Sequence, residues 1–108
     1  MTNTITAGQL AAMHNSDIPT PAGATRADDW MLWDDATWMR AFDVATYRDG
    51  NQLVYLGGTQ DSDGTAAYTI EIERAEDLTV IEARALAVLL TAAAARVDQL
   101  TGETPPFI

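Results

Sequence analysis

The chain has 108 residues, 47% of them hydrophobic, and contains no cysteine, which predicts one globular domain without disulfides, thiol nucleophiles or thiolate metal sites. The formal net charge is −10 and the six basic residues are all arginine. Direct binding to nucleic acid or to anionic membranes is therefore disfavoured, because both depend on basic side chains. The sequence has no apolar stretch of membrane-spanning length and no basic N-terminal signal, so we expect a cytoplasmic protein.

The predicted organisation is an arm at residues 1–26, a single domain at 27–102 and a tail at 103–108 that its two prolines keep non-helical. The arm carries little periodicity. Its segment from Thr6 to Asn15 is compatible with a short helix, because threonine is a good N-cap and a glutamine follows three residues later. The rest of the arm, rich in proline and glycine, predicts a loop.

The stretch DDWMLWDDATW, residues 28–38, contains all three tryptophans and two pairs of aspartates. One interpretation is a hairpin with its turn at Asp34–Thr37, which places Trp33 directly across from Trp38 as an aromatic cross-strand pair. The rival interpretation is a helix through the same stretch. We favour the hairpin because consecutive aspartates suit a turn better than a helix interior.

From Trp38 onward the apolar pattern has a period of two, which predicts an antiparallel meander with one core face and one wetter face. In its first strand Tyr47 falls on the wetter face. An unbroken register with the preceding stretch sets Asp28 opposite Asp43, an unfavourable pair of like charges. The predicted segments are a strand at 38–47, an Asp-Gly turn at 48–51, a strand at 52–60, a turn at 61–64 and a strand at 65–74.

The period then becomes helical, with a capping box formed by Thr79 and Glu82 and a C-terminal stop at Gly102. The helix, predicted to end at Leu100, carries an apolar stripe that Val88 widens. The sequence therefore predicts an α+β domain: an antiparallel meander of three or four strands, covered on one face by one long C-terminal helix. The predicted core comprises Phe42, Val44, Leu53 or Val54, Tyr68, Ile70, Ile72, Leu86, Leu90 and Val97.

The C-terminal half contains the pattern L-T-x-x-E-A-R-x-L-A-x-L-L, which begins at Leu78, and a glycine- and glutamine-bearing strand followed by Asp63 and Gly64. With these residues the segment 57–100 resembles a group of small acidic proteins of actinobacteria and their phages. The group has no established activity. The resemblance implies a phage or actinobacterial setting, with the host cytoplasm as location, and transfers no functional residue.

No constellation of residues predicts catalysis or metal binding. The single histidine is His14, and both Ser16 and Ser62 fall in predicted loops, which disfavours a Ser-His-Asp arrangement. The D-S-D-G turn resembles the start of a calcium loop but has Ile72 where the bidentate glutamate is required. The pair Gly57–Gly58 lacks the lysine of a phosphate loop and predicts a bulge or room for a neighbouring side chain. We expect a non-enzyme with no cofactor and no metal.

The favoured hypothesis is a protein-interaction module, a small phage- or prophage-type accessory protein that binds a host or phage protein and forms a homodimer. It is motivated by surplus apolar surface on the helix and by the tryptophans, a residue type enriched in interface hot spots. The open alternative is that the tryptophans fill the core between sheet and helix. The candidate contact residues are Trp30, Trp33 and Trp38.

The second hypothesis is an acidic decoy, in which a pattern of carboxylates resembles DNA phosphates and occupies a nucleic-acid-binding protein. The alternative for the same residues is solubility alone. A minor component of the virion is a third possibility. The candidate acidic-surface residues are Asp28, Asp29, Asp34, Asp35, Asp43, Glu71 and Glu73.

Overall fold

The computed structural model describes residue 4 and residues 17–32, 37–73 and 77–102. The described residues form an α+β domain in which five antiparallel strands make one sheet and a single long helix packs on one of its faces. The strands are β1 (Arg26–Ala27), β2 (Met31–Leu32), β3 (Trp38–Asp49), β4 (Gln52–Asp61) and β5 (Ala66–Ile72), and the helix is α1 (Val80–Thr101). The order is β1-β3-β4-β5, and β2 also pairs with β3. The predicted short helix at 6–15 and the tail at 103–108 lie outside the described residues.

The turn between β3 and β4 confirms the hairpin predicted from Asp-Gly. Asp49 pairs with Gln52, which leaves a two-residue loop of Gly50 and Asn51. Gly50 has a φ of 56°, whereas Asn51 keeps a negative φ. A positive φ at the first central position alone is typical of a type II′ turn, which matches the right-handed twist of the strands and favours glycine there.

The turn between β4 and β5 confirms the interpretation of D-S-D-G as a hairpin connection. The backbone N–H of Gly64 donates to the carbonyl of Asp61 at 2.9 Å, and that of Thr65 donates to Asp63 Oδ1 at 2.8 Å. The hydrogen bond from the Thr65 backbone lowers the pKa of the Asp63 carboxyl, because it stabilises the charged form. Gly64 has a φ of 93°, a conformation that L side chains rarely adopt.

The strand interpretation of this stretch holds for Met31–Leu32 and from Trp38 onward, but the predicted register is wrong. Leu32 is the partner of Trp38, so the residue opposite this tryptophan is not Trp33, which lies outside the described residues. The pairing closes over five intervening positions and not the four that the predicted turn requires, and the non-strand residues 28–30 shift it by one further position between β2 and β1. The aromatic cross-strand pair expected for Trp38 is therefore absent.

A β-bulge between Asp43 and Ala45 changes which side of β3 faces the helix. Before the bulge, Phe42 points to the core. After it, Tyr47 packs against buried residues of the same face, which corrects the prediction that this tyrosine lies on the wetter face. The extra residue of the bulge reverses the alternation of side chains. Strict alternation cannot reveal such an insertion.

The core has two clusters on the face of the sheet that α1 covers. One cluster contains Val54 of β4 and residues of the helix, and the other lies around Phe42 in the middle of β3 and β4. Phe42, Val44, Val54 and Leu86 are buried as predicted, with Tyr68, Leu90 and Val97 partly buried around them. Val54, Leu86, Leu89 and Ala93 form the first cluster, and Phe42, Val44 and Leu56 form the second.

Two predicted core residues, Ile70 and Ile72, are instead exposed, with 38% and 41% of their surface accessible. Both belong to β5, which lies at the edge of the sheet. The helix packs mainly on β4 and β3 and leaves this end of β5 less covered. Alternation along a strand indicates which residues share a face, but it does not indicate how far the covering helix reaches.

Helix α1 has the capping box and the glycine stop that the sequence predicts, and it ends one residue beyond the predicted Leu100. Thr79 is the N-cap, and its hydroxyl accepts from the backbone N–H of Glu82 at 3.1 Å while Glu82 Oε1 accepts from the backbone N–H of Thr79 at 3.0 Å. Gly102 ends the helix with a φ of 74°. No helix in the described ranges is both long and apolar enough to cross a membrane.

Replacing Thr79 by alanine should lower the free energy of unfolding by about 1 kcal/mol, because the first turn loses the acceptor of its capping box. Urea denaturation monitored by circular dichroism measures the loss. Thr91→Ala is the matched control. The Thr91 hydroxyl lies in the middle of the helix and donates to the Ala87 carbonyl at 2.8 Å, so it caps no free backbone N–H group. We expect that control to be neutral or slightly stabilising. Equal losses in both variants would contradict the role of the cap.

Candidate functional site

The described tryptophans are not an outward-facing patch. Trp30 is 5% exposed, and the guanidinium carbon of Arg40 lies 4.5 Å from the centroid of its ring. This geometry is a cation–π contact. Trp38 is half-buried at the start of β3. Trp30 is therefore an interior residue of the folded chain, which favours the core alternative for this tryptophan over a surface contact.

A buried polar network lies beside Trp30 and is named here the Arg40–Gln60 clasp. Gln60 is 2% exposed, and its Oε1 accepts from Arg40 Nε at 2.8 Å. Its Nε2 donates to the carbonyls of Pro19 at 2.9 Å and Gly64 at 3.2 Å, and Arg40 Nη2 donates to the carbonyl of Ile18 at 3.3 Å. Burial lowers the pKa of Arg40. The clasp holds the backbone carbonyls of Ile18 and Pro19 on the sheet.

Gly58 makes room for an aromatic pair, as the Gly-Gly motif suggested. It is the cross-strand partner of both Phe42 and Tyr68, whose rings meet edge to face with centroids 5.3 Å apart. The Tyr68 hydroxyl donates to the Ala22 carbonyl at 2.6 Å. A Cβ at Gly58 would overlap the carbonyl oxygen of Ala67 and lie 2.8 Å from Phe42 Cζ. The glycine is therefore required by close packing.

Replacing Gly58 by alanine should destabilise the fold by about 1–3 kcal/mol, because the added methyl meets a backbone carbonyl that cannot move without opening the β4–β5 ladder. Thermal and urea unfolding measure the effect. Thr59→Ala, at the next and exposed position of β4, is the control and should stay within about 0.5 kcal/mol of the parent chain. A neutral Gly58→Ala variant would show that the ladder tolerates the methyl.

The face of the sheet opposite α1 gathers part of the predicted acidic surface. Asp43 and Glu71 line one groove together with Gly57. Next to it, the Tyr55 hydroxyl donates to Glu73 Oε2 at 3.0 Å, and this hydrogen bond raises the pKa of the tyrosine. We name as the acidic face the four carboxylates Asp28, Asp43, Glu71 and Glu73.

Arg26 joins Asp28 to Asp43 at one end of the acidic face. Its Nη2 lies 2.9 Å from Asp28 Oδ1 and its Nη1 lies 3.7 Å from Asp43 Oδ2. Arg26 is also the strand partner of Asp43, so the expected pairing of Asp28 with Asp43 is wrong. The shifted register replaces a like-charge pair by an attractive one. All three side chains are largely exposed, so these ion pairs contribute little to stability.

The remaining predicted acids are not brought into this face. Asp29 is exposed beside Asp28, in a shallow hollow shared with Met31. Asp34 and Asp35 lie outside the described residues, as do His14, Ser16 and Trp33. Within the described ranges no group of three or more histidine, aspartate or glutamate side chains is placed to hold a metal ion.

The exposed side of α1 carries a second apolar stripe, which sequence reasoning missed. Val88 was expected to widen the core stripe, but it is 66% exposed, and Ile81 is 80% exposed. The sequence contains a signal for this stripe, because its apolar residues recur at alternating steps of four and three positions. We name as the helix stripe Ile81, Ala85, Val88, Ala92 and Ala95.

A shallow groove overlaps the C-terminal part of this stripe. Its lining is mostly apolar and consists of small side chains around Val88, namely Ala87, Thr91, Ala92 and Ala95. A neighbouring side of α1 buries Leu86, Leu89 and Ala93 against the sheet. One helix therefore presents two apolar surfaces, and only one of them is covered by the described part of the chain.

No family model matches the chain, and neither a curated protein nor a solved structure matches it.

Proposed function

We propose that the chain is a non-enzymatic protein-interaction module that forms a homodimer and binds a host or phage protein in the cytoplasm. The observation that carries this proposal is the aliphatic surface left exposed on α1 and β5. Ile81 and Val88 project from α1, and Ile70 and Ile72 project from β5. Clustered apolar side chains on a surface mark interaction sites more strongly than single scattered ones. The resemblance of residues 57–100 to small actinobacterial and phage proteins supports the setting.

The β5 edge, defined by Ile70 and Ile72, is the surface we assign to the host or phage protein. Among the described residues β5 has a strand neighbour, β4, on one side only. An edge strand offers backbone N–H and C=O groups to a further strand, and its side chains supply specificity. The exposed isoleucines add apolar contact area at this edge.

Affinity capture from an actinobacterial lysate at low and high salt tests the proposal. The parent chain should retain the same protein at both salt concentrations, because apolar contacts are not screened. The double variant Ile70→Thr/Ile72→Thr, which keeps good strand formers, should lose it. Ala67→Thr is the matched control on the same strand, exposed on the opposite face of the sheet. Capture that is unaffected by the double variant would contradict the assignment to the β5 edge.

The acidic face supports a second candidate function, an acidic decoy for a nucleic-acid-binding protein. Asp43 and Glu71 line a single groove, and the chain as a whole carries a net charge of −10. Binding of this kind weakens steeply as salt is added. Capture confined to low salt, lost in Asp43→Asn/Glu71→Gln and retained in the isoleucine double variant, would favour the decoy over the apolar module.

A further inference from the structure

The side chains of the helix stripe vary in size, and the charges of α1 are arranged, in a way that makes this surface complementary to a second copy of itself. We infer that α1 pairs with α1 of a second copy in antiparallel orientation, about a two-fold axis that passes next to Val88. The inference rests on the homodimer of the proposed function and assigns its interface to the helix stripe. The β5 edge stays free for a different protein.

The spacing of the stripe is that of a coiled-coil seam. Its positions 81, 85, 88, 92 and 95 alternate steps of four and three residues, which is the repeat that keeps one face toward a partner helix. From Ile81 to Ala95 the seam is about 21 Å long at 1.5 Å per residue. The stripe is uninterrupted by a charged residue.

The side-chain sizes favour antiparallel over parallel pairing. About an axis at Val88, Ile81 of one copy lies opposite Ala95 of the other, so a large side chain enters the groove formed by small ones. The central contact is Val88 with its own equivalent. A parallel pair would instead set Ile81 against Ile81 and Ala95 against Ala95, crowding one end and leaving a gap at the other. A two-fold axis also closes the assembly at two copies.

The charges of α1 agree with the antiparallel arrangement. The helix contains two arginines and two acids, Arg84, Arg96, Glu82 and Asp98, so its formal charge is zero within a chain of −10. Beside the seam, an antiparallel pair brings Arg96 of one copy to Glu82 of the other, twice by symmetry. The carboxylates of the acidic face lie on the other side of the sheet. The helix is thus the side by which two acidic copies approach with least repulsion.

The absence of native cysteine allows the pairing to be tested by disulfide formation. Val88→Cys places two thiols next to the axis, and we expect it to form an intermolecular disulfide under mild oxidation. Ala94→Cys is the control, an exposed position of the same helix outside the stripe, and should not cross-link. A mixture of Ile81→Cys and Ala95→Cys chains should give the mixed disulfide. Cross-linking of Ile81→Cys alone as readily as in the mixture would establish parallel pairing and overturn the inference.

Light scattering on the full chain separates this inference from the proposed function. The parent chain should be a dimer at micromolar concentration and Val88→Asp a folded monomer, because the side chain is 66% exposed and an aspartate there leaves the core unchanged. A parent monomer, or a dimer that Val88→Asp leaves intact, overturns the helix pairing. If capture of a partner through Ile70 and Ile72 survives in either case, the interaction module stands without it.

Discussion

Replacing Leu56 by alanine should lower the free energy of unfolding by about 2–5 kcal/mol. Leu56 is 1% exposed at the centre of β4 and packs in one cluster with Phe42 and Val44. Truncation removes buried methyl groups and leaves a cavity that the paired strands cannot close, because their backbones are held by ladders on both sides of β4. Urea denaturation measures the loss as a lower midpoint with an unchanged slope.

Leu53→Ala is the matched control for this prediction. It removes the same atoms from the same strand, but Leu53 is half-buried and lies on the face opposite α1. Its loss should be clearly smaller, because less apolar surface is returned to water. If the two variants lost the same stability, the core would not be confined to the helix-covered face.

Replacing Gln60 by leucine should cost about 2–4 kcal/mol, although the side chain becomes more apolar and stays buried. The Arg40 guanidinium loses an acceptor at 2.8 Å, and the Pro19 carbonyl loses a donor at 2.9 Å. Both groups are then left in a partly buried position without that partner. Urea unfolding gives the magnitude. Amide hydrogen exchange of residues 17–25 gives the location, and we expect exchange there to accelerate because the clasp no longer holds the segment.

The other buried glutamine provides the matched control. Gln52 is 1% exposed, and among the described residues its Oε1 has no hydrogen-bond donor, while its Nε2 donates to Glu82 Oε2 over 3.4 Å. Gln52→Leu therefore removes a poorly satisfied polar group from the interior and should be neutral or stabilising. Equal losses at the two positions would show that glutamine volume, and not the clasp, determines the stability.

The parts of the fold that follow from local chemistry could be predicted from the sequence. Gly50 and Gly64 allow tight turns between strands, and Thr79 with Glu82 satisfies the first backbone groups of the helix. Gly102 ends the helix, because glycine readily adopts the positive φ that the helix terminus requires. In each case the residues that interact are within four positions of one another. The element order and the α+β class depend on these same short-range signals.

The candidate surfaces depend on contacts between residues that are far apart in the sequence, and no local pattern reveals such contacts. Trp30 lies between β1 and β2, and Arg40 on β3 stacks on its ring. Gln60 is buried with its amide donating to the carbonyls of Pro19 and Gly64. In sequence, Gln60 resembles any polar residue near the end of a strand. A polar side chain can be buried only when the groups that satisfy it arrive from elsewhere in the chain.

The sequence by itself determined the turns after β3 and β4 and the cap and stop of the helix, because those features are made by neighbours along the chain. Only the tertiary structure decided which apolar residues remain outside. The bulge at 43–45 turned Tyr47 inward, and the position of α1 across β3 and β4 left Ile72 and Val88 exposed. The physical reason is that one helix covers a limited width of sheet and has two apolar sides. Which side is buried depends on the packing of all the elements together.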